Sequence, residues 1–186
     1  MPSDLNIKTR TERYRHEHRA QSILGWVFAG ILGLAAVLFV LLVWFSPVYI
    51  DDPSMSPTLA EGDTVIYDRL YGHFHEYQRG DIVVYRDPET DALLIKRVIA
   101  LGGETVEAKE GILIIDGKYG LDEHRYETSD PIDFPETAVP EGKVFVLSDD
   151  RNYGEDSRKE AIGCLGHEDI LGLVRIRLRD FTIFTR

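Results

Sequence analysis

The chain contains, at residues 93–101, the stretch Leu93-Leu94-Ile95-Lys96-Arg97-Val98-Ile99-Ala100-Leu101. A largely apolar run of nine residues, rich in β-branched side chains, is typical of a buried β-strand. Because side chains alternate along a strand, one face is predicted to carry Lys96 together with three apolar residues, Leu94, Val98 and Ala100. The stretch therefore predicts a β-sheet with a lysine amine buried among apolar side chains.

Similar β-branched and aromatic runs recur along the chain, separated by turn sequences such as Arg79-Gly80-Asp81. They lie at residues 64–67, 82–85, 112–115, 143–147 and 170–184. Outside residues 23–45, no segment has helical periodicity over ten residues or more. These features predict a mainly β fold, an antiparallel β-barrel or sandwich, for one domain at residues 46–186. The polar segment at about 103–140 is expected to be a small, loop-rich excursion from the main sheet.

Residues 23–45 form an uncharged segment of 23 residues. As a helix it would span roughly 34 Å, enough to cross a hydrocarbon core of about 30 Å. Trp26 and Trp44 lie near its ends, where indole rings favour the headgroup level, and Pro47 follows where a helix is expected to end. The segment therefore predicts one transmembrane helix.

Residues 1–22 form a tail with five basic and three acidic residues. The positive-inside rule places this tail in the cytoplasm and everything after residue 46 outside the cell membrane. A cleavable signal peptide is the alternative, but its apolar core is usually about 7 to 15 residues long and is followed by a small-x-small cleavage site. The segment here is longer, and Phe45-Ser46-Pro47-Val48-Tyr49 offers no such site. We therefore expect an uncleaved, single-pass anchor with an extracytoplasmic domain.

The part of the chain after the anchor is acidic, with 16 basic and 29 acidic residues and a formal charge of −13. Nucleic-acid binding is not expected, because contacts to phosphates need clustered Lys and Arg. The single cysteine, Cys164, excludes an intramolecular disulfide and a Cys-rich zinc site, and no other pattern indicates a metal or a cofactor. Small residues at Gly25, Ala29 and Gly33 permit close approach of a second membrane helix, but such residues are common in these helices, so the oligomeric state is left open.

A serine follows the anchor closely, in Asp52-Pro53-Ser54-Met55-Ser56-Pro57-Thr58-Leu59. Nine residues separate Phe45 from Ser54, at most about 30 Å of extended chain, so Ser54 is expected near the outer membrane surface. A serine becomes a nucleophile when a base takes its proton, and a lysine can be that base when burial keeps its amine neutral. Ser54 and Lys96 are therefore candidates for a serine/lysine hydrolase. Taken alone, each has a simpler explanation, since loop serines are commonly structural and a strand lysine can protect a sheet edge.

Five blocks of the sequence closely resemble, in order and spacing, the blocks of bacterial type I signal peptidases. They are Ser54-Met55-Ser56-Pro57-Thr58-Leu59, Gly80-Asp81-Ile82-Val83-Val84-Tyr85, Ile95-Lys96-Arg97-Val98-Ile99-Ala100-Leu101-Gly102-Gly103-Glu104, Val139-Pro140-Glu141-Gly142-Lys143-Val144-Phe145-Val146-Leu147-Ser148-Asp149-Asp150-Arg151 and Asp156-Ser157-Arg158. The match covers most of residues 45–178 behind an N-terminal anchor. The resemblance implies a membrane-bound serine endopeptidase that removes N-terminal signal peptides from exported preproteins after a small-x-small motif.

The resemblance also implies a role for each matching residue. Ser54, directly before Met55, would be the nucleophile and its backbone N–H an oxyanion-hole donor, and Lys96 would be the general base. Apolar residues would line a cleft that binds the substrate as an extended strand, although each is as readily explained as core: Ile50, Met55, Leu59, Leu94 and Ile95. Charged residues near the site would form structural ion pairs: Arg97, Asp149, Asp156 and Arg158. No cofactor is implied, and the expected partners are signal peptides of exported preproteins and the lipid bilayer.

The sequence departs from the family pattern at three places. The usual Gly-Asp-Asn-Arg is replaced by Ser148-Asp149-Asp150-Arg151, and Gly154 stands where many members have a serine that hydrogen-bonds the catalytic lysine. Asp52 stands where some members offer a hydroxyl to the oxyanion hole. Because an ionised carboxylate would repel the developing oxyanion, we expect Asp52 to point elsewhere.

Three functions stay open on the sequence. The first is the cleavage of signal peptides from exported preproteins by a serine endopeptidase. The second is a non-catalytic relative that binds or helps to assemble exported proteins, and the third is a specialised peptidase for pilus or conjugation proteins. A non-catalytic relative would be expected to lose Ser54 or Lys96, and this chain keeps both. The sequence therefore favours an enzyme.

Overall fold

The computed structural model describes residues 4–119 and 132–184, with side chains from residue 24 onward except that of Tyr119. The chain divides into two compact units, Met1–Val43 and Trp44–Arg186. Within the described residues the secondary structure consists of helices α1 (Asp4–Trp44) and α2 (Tyr71–Phe74) and of strands β1 (Phe45–Tyr49), β2 (Thr64–Asp68), β3 (Ile82–Arg86), β4 (Leu93–Leu101), β5 (Thr105–Lys109), β6 (Ile112–Ile115), β7 (Lys118–Tyr119), β8 (Phe134–Ala138), β9 (Lys143–Leu147), β10 (Leu165–Gly166), β11 (Ile170–Arg177) and β12 (Thr182–Ile183). The prediction of a mainly antiparallel β fold behind an N-terminal apolar helix is confirmed.

Helix α1 contains the apolar span Leu24–Trp44, 21 residues with a mean hydropathy of 2.8. By length and composition this span can cross a membrane. The helix ends at Trp44, before the predicted stop at Pro47, because the chain passes directly into strand β1. Phe45 already pairs with Asp68 of β2, and the Trp44 indole N–H donates to the Asp68 carboxylate at 2.8 Å. Pro47 is tolerated in β1 because this strand lies at the edge of its sheet.

The main sheet has the strand order β1-β2-β11-β3-β4-β9-β10, and β12 pairs with β11. Strand β4 has the predicted bounds and lies between β3 and β9. Both faces of the sheet are covered here. Val83, Tyr85 and Val98 pack in one hydrophobic cluster, whereas Val84 and Ile95 pack in another. Burial on both faces explains why β3 and β4 are almost continuously apolar.

A β-bulge interrupts the alternation of strand β4 near its end. Val98 pairs with Val146 and Ala100 with Phe145, so β4 has one residue more than its partner β9 over this interval. Ala100 consequently packs in a third cluster beside Ile99 and Phe145. The prediction that Ala100 shares the face of Lys96 was wrong, because simple alternation along a strand does not anticipate a bulge.

A second, four-stranded sheet has the order β7-β6-β5-β8 and lies within residues 105–138. The segment that was expected to be loop-rich is therefore partly a sheet in the portion that the structure describes. The sequence of this segment is polar because strand β5 buries only alternate side chains and strand β8 leaves most of its side chains exposed. Val106 and Leu113 pack against Phe145 and Leu147 of the main sheet.

The run at residues 170–184 was predicted as one strand but forms two, β11 and β12, joined by a tight turn. The Asp180 carboxylate organises this turn, since it accepts hydrogen bonds from the Thr182 N–H at 3.1 Å and from the Arg177 guanidinium at 2.5 Å. Phe181 adopts a positive φ of 53°. The turn has no Gly or Pro, which is why the sequence pattern did not reveal it.

Candidate active site

Ser54 lies in the loop between β1 and β2. Two other side chains of this loop, Met55 and Leu59, are completely buried and pack in one hydrophobic cluster with Ile95 of β4. The loop is closed by a hydrogen bond from the Leu59 N–H to the Met55 carbonyl at 2.8 Å. Ser54 itself is buried. Apolar anchoring thus holds a polar nucleophile candidate against the sheet.

Lys96 lies in the middle of β4, where it pairs with Val83 of β3. Its side chain is 0% exposed, and its Nζ lies 2.7 Å from the Ser54 Oγ. The two residues are 42 positions apart in the chain, so only the fold brings them together. The structure therefore forms the serine and lysine pair that the sequence predicts.

The surroundings of Lys96 favour its neutral form. Burial lowers the pKa of the Lys96 amine below its ordinary value of 10.5, because desolvation disfavours the charged form. Asp52, Asp156 and Glu155 act in the opposite direction, with Asp52 the strongest of the three, while Arg158 lowers the pKa further. The pKa stays lowered overall, which is what a general base requires.

Asp52 points toward this pair rather than away from it. Its Oδ1 accepts a hydrogen bond from the Ser54 Oγ at 2.9 Å, and its Oδ2 lies 3.8 Å from the Lys96 Nζ. The expectation that Asp52 points elsewhere was wrong. It considered only the repulsion of an oxyanion during the reaction, whereas in the free protein the amine and the hydroxyl both attract the carboxylate. The Asp52 side chain stays 40% exposed, so it also keeps part of its hydration.

A buried ion pair attaches the loop after β9 to the loop of Ser54. Arg97 Nε and Nη2 bind the two carboxylate oxygens of Asp149 at 2.7 and 2.6 Å, with side chains that are 5% and 0% exposed. The Thr58 hydroxyl donates to Asp149 Oδ2 at 2.6 Å. The Asp150 N–H donates to the Ser54 carbonyl at 2.9 Å. The predicted pair members Arg97 and Asp149 therefore position the nucleophile candidate through Thr58 and Asp150.

A second ion pair organises the segment at residues 148–158. Arg158 Nε and Nη2 bind the two carboxylate oxygens of the buried Asp156 at 2.8 and 2.7 Å. Asp156 also accepts a hydrogen bond from the Ser148 N–H at 3.0 Å, and Arg158 donates to the Arg151 carbonyl at 2.9 Å. The charge of Asp156 is thus already paired, which limits its effect on Lys96.

The two departures at Ser148 and Gly154 have different surroundings. Ser148 directly follows Leu147, the last residue of strand β9, which pairs with Arg97. Its hydroxyl is fully buried and has no hydrogen-bond partner among the residues that the structure describes. At Gly154, an added Cβ would meet nothing within 4 Å. The chain thus carries an unpaired buried hydroxyl at one departure and an open position at the other.

We expect Ser148→Ala to stabilise the fold by about 1 kcal/mol, because a buried hydroxyl without a partner costs free energy that a methyl group does not. Denaturant unfolding of the full chain in detergent measures the change. Ser157→Ala is the matched control, since the Ser157 Oγ accepts a hydrogen bond from the Val146 N–H at 2.9 Å and its loss is expected to destabilise. Equal destabilisation by both substitutions would show that the Ser148 hydroxyl does contribute a bond to the native state.

The five residues predicted to line a substrate cleft do not form one surface. Four of them pack in a single core cluster: Ile50, Met55, Leu59 and Ile95. Met55 and Leu59 are 0% exposed, so they offer no surface to a ligand and instead anchor the loop of Ser54. Leu94 is half-buried and packs against the cluster on the other face of the sheet, the face of Lys96.

Sequence reasoning missed the contact of Asp52 with Ser54 and the bond from Thr58 to Asp149. Both residues lie within four positions of Ser54, and their side chains can donate or accept hydrogen bonds, so proximity to the nucleophile candidate was the available signal. Among the described residues, no group of three or more His, Cys, Asp or Glu side chains is placed to hold a metal ion.

Comparisons with known proteins agree on one group of relatives. Residues 23–179 match the family of signal peptidases, peptidase S26. The chain is 40% identical over 152 residues to the probable signal peptidase I-1 of Synechocystis. This alignment covers 76% of each of the two chains. It is 32% identical over 164 residues to the signal peptidase I of Bacillus licheniformis, covering 83% of this chain and 88% of that one. A crystal structure of a signal peptidase I from Enterococcus faecalis, 28% identical, covers 53% of this chain and 97% of its own with a TM-score of 0.46.

Proposed function

This chain belongs to the signal peptidase family, peptidase S26, and on that premise we propose that Ser54 is its nucleophile and Lys96 its general base. The protein is a serine endopeptidase that cleaves signal peptides from preproteins. The observation that carries the assignment is the 2.7 Å contact between the Ser54 Oγ and a completely buried amine. A nucleophile within hydrogen-bond reach of a base whose pKa is lowered is the arrangement that this chemistry needs.

In the first half of the proposed reaction, the neutral Lys96 amine takes the Ser54 hydroxyl proton while the Ser54 oxygen forms a bond to the carbonyl carbon of the scissile peptide. The carbonyl oxygen becomes negatively charged, and the Ser54 backbone N–H is proposed to donate a hydrogen bond to it. The carbon–nitrogen bond then breaks, and the Lys96 ammonium returns its proton to the leaving amine. The mature protein departs, and the signal peptide stays esterified to Ser54.

The second half hydrolyses this ester. Lys96, neutral again, takes a proton from a water molecule as that water attacks the ester carbon. The carbon–oxygen bond to Ser54 then breaks, and Lys96 gives the proton to the Ser54 oxygen. The free carboxylic acid of the signal peptide leaves, and both residues regain their starting protonation states.

We further propose that the enzyme works at the membrane, with its N-terminus in the cytoplasm and residues after 46 outside. The apolar span Leu24–Trp44 and the five basic residues of the tail support this orientation. The signal peptide would bind as an extended strand on the Lys96 face, where Leu94 is partly accessible. Ile50, Met55, Leu59 and Ile95 pack in the cluster on the opposite face and would act indirectly, because that cluster holds the loop of Ser54.

Incubating the full chain in lipid vesicles with an exported preprotein tests this function. Mass spectrometry of the products should show a single cleavage directly after a small-x-small motif. A protein that binds the preprotein but never cuts it would instead be a non-catalytic relative. Cleavage of pilus or conjugation preproteins alone, with generic preproteins left intact, would identify a specialised peptidase.

A further inference from the structure

We propose that Asp52 is a third catalytic residue of this enzyme, whose carboxylate holds the Ser54 hydroxyl in the resting state and serves as counter-ion to the Lys96 ammonium, thereby setting the lower pH limit of cleavage. The proposal rests on the assignment of Ser54 and Lys96 as nucleophile and base. Its first support is geometric, because one carboxylate oxygen lies 2.9 Å from the Ser54 Oγ and the other lies 3.8 Å from the Lys96 Nζ.

The three groups differ in their exposure to solvent. Ser54 and Lys96 are buried, whereas the Asp52 side chain is 40% exposed. Asp52 therefore lies between solvent and a buried amine, and its desolvation cost is smaller than that of a fully buried carboxylate. An ionised carboxylate at this distance stabilises an ammonium more than it would in water, because the amine side of the contact is shielded from solvent.

A single hydroxyl proton on Ser54 must serve two acceptors. When Lys96 is an ammonium, it donates to the Ser54 oxygen, and Ser54 donates to Asp52, so that all three groups are paired and the serine is not activated. When Lys96 is neutral, its lone pair competes with Asp52 for the serine proton. The hydroxyl must then turn from Asp52 to Lys96 before the proton can move. Once Lys96 has taken the proton, Asp52 again faces an ammonium and stabilises it.

The other charged groups around Lys96 are less able to play this part. Asp156 is bound by both arms of Arg158, and Glu155 pairs with Lys159 at 3.0 Å on the surface. On the opposite face, Arg97 is bound to Asp149. Tyr85, on the neighbouring strand β3, is buried, and burial raises the pKa of its phenol so that it stays neutral. Asp52 is therefore the carboxylate that acts most directly on the Lys96 amine.

The test is the pH dependence of kcat/KM for preprotein cleavage by the full chain and by Asp52→Asn. Removing the carboxylate charge should make Lys96 easier to deprotonate, so the acidic side of the profile should move toward lower pH by about one pH unit. Asp52→Glu keeps the charge and should shift the profile much less. Asp51→Asn is the matched control, because Asp51 is the exposed neighbouring residue, and its profile should coincide with that of the unaltered chain.

A profile for Asp52→Asn that coincides with that of the unaltered chain would overturn the proposal, as would an equal shift in Asp51→Asn. Should Asp52→Asn turn over too slowly for kinetics, nuclear magnetic resonance titration of the Lys96 amine reports the same shift without catalysis. An unshifted titration would then overturn the proposal. The assignment of the serine and lysine fails separately, by full activity in Lys96→Ala, whereas an inactive Lys96→Ala with an unshifted Asp52→Asn would refute only the role of Asp52.

Discussion

Replacing Lys96 by alanine is expected to lower kcat/KM for preprotein cleavage by roughly four orders of magnitude or more. Among the residues that the structure describes, Lys96 is the amine hydrogen-bonded to the Ser54 hydroxyl, so the substitution removes the proposed base. Ser54→Ala should be equally inactive, because it removes the atom that forms the bond to the substrate. The cleavage rates are measured at saturating and at limiting concentrations of the same preprotein.

Two further substitutions separate the role of a base from that of a charge or of a packing group. Lys96→Arg keeps the positive charge, but a guanidinium stays protonated and cannot accept the serine proton, so it should be as inactive as Lys96→Ala. Lys96→Met fills the same buried space with an apolar chain and should retain the fold by thermal unfolding. Substantial cleavage by Lys96→Arg would show that Lys96 does not act as the base.

Asp149→Asn is expected to destabilise the domain by about 3 to 5 kcal/mol, a large part of the stability of a typical domain. The substitution leaves the Arg97 guanidinium, 5% exposed, without an ionised partner in a buried site. Thr58 loses the charge to which its hydroxyl donates, so the loop of Ser54 should loosen as well. Denaturant unfolding measures the stability, and preprotein cleavage should fall with it.

Two variants control this measurement. Glu89→Gln removes an ion pair with Lys159 in which both side chains are well exposed, and it should leave the stability unchanged. The double substitution Arg97→Met with Asp149→Leu removes both charges, so it should be less destabilised than Asp149→Asn. If Asp149→Asn unfolded like the unaltered chain, the pair would be unimportant for the fold.

Three strands, β4, β6 and β9, have the bounds that the sequence predicts. Strand β4 matched its predicted bounds, because an apolar residue is needed at almost every position when clusters pack on both sides. Strand β1 was missed because its apolar residues continue those of the membrane segment, and only pairing with β2 separates them. Strand β12 was missed because the turn at Asp180 and Phe181 depends on side-chain bonds rather than on Gly or Pro. The local sequence pattern therefore predicted which segments are buried strands better than it predicted where the chain turns.

The site was predictable in its parts but not in its contacts. Ser54 and Lys96 could be named from the motif blocks, whereas the 2.7 Å contact required the tertiary pairing of β4 with the loop after β1. The prediction for Asp52 was wrong because it weighed one charged state of the reaction and not the resting state. The predicted cleft residues came from the family resemblance, which matches positions in the sequence but not their exposure, and four of them pack in one core cluster.

The pH dependence of kcat/KM for the unaltered chain tests most directly whether Ser54 is activated by a neutral, buried lysine. Because the free amine is the active form, cleavage should fall about tenfold for each pH unit below the pKa of Lys96 and level off above it. Burial lowers that pKa from 10.5, so the plateau should be reached below pH 10.5. A rate that still climbs tenfold per unit up to pH 10.5 would contradict the assignment of Lys96 as a base held neutral by burial.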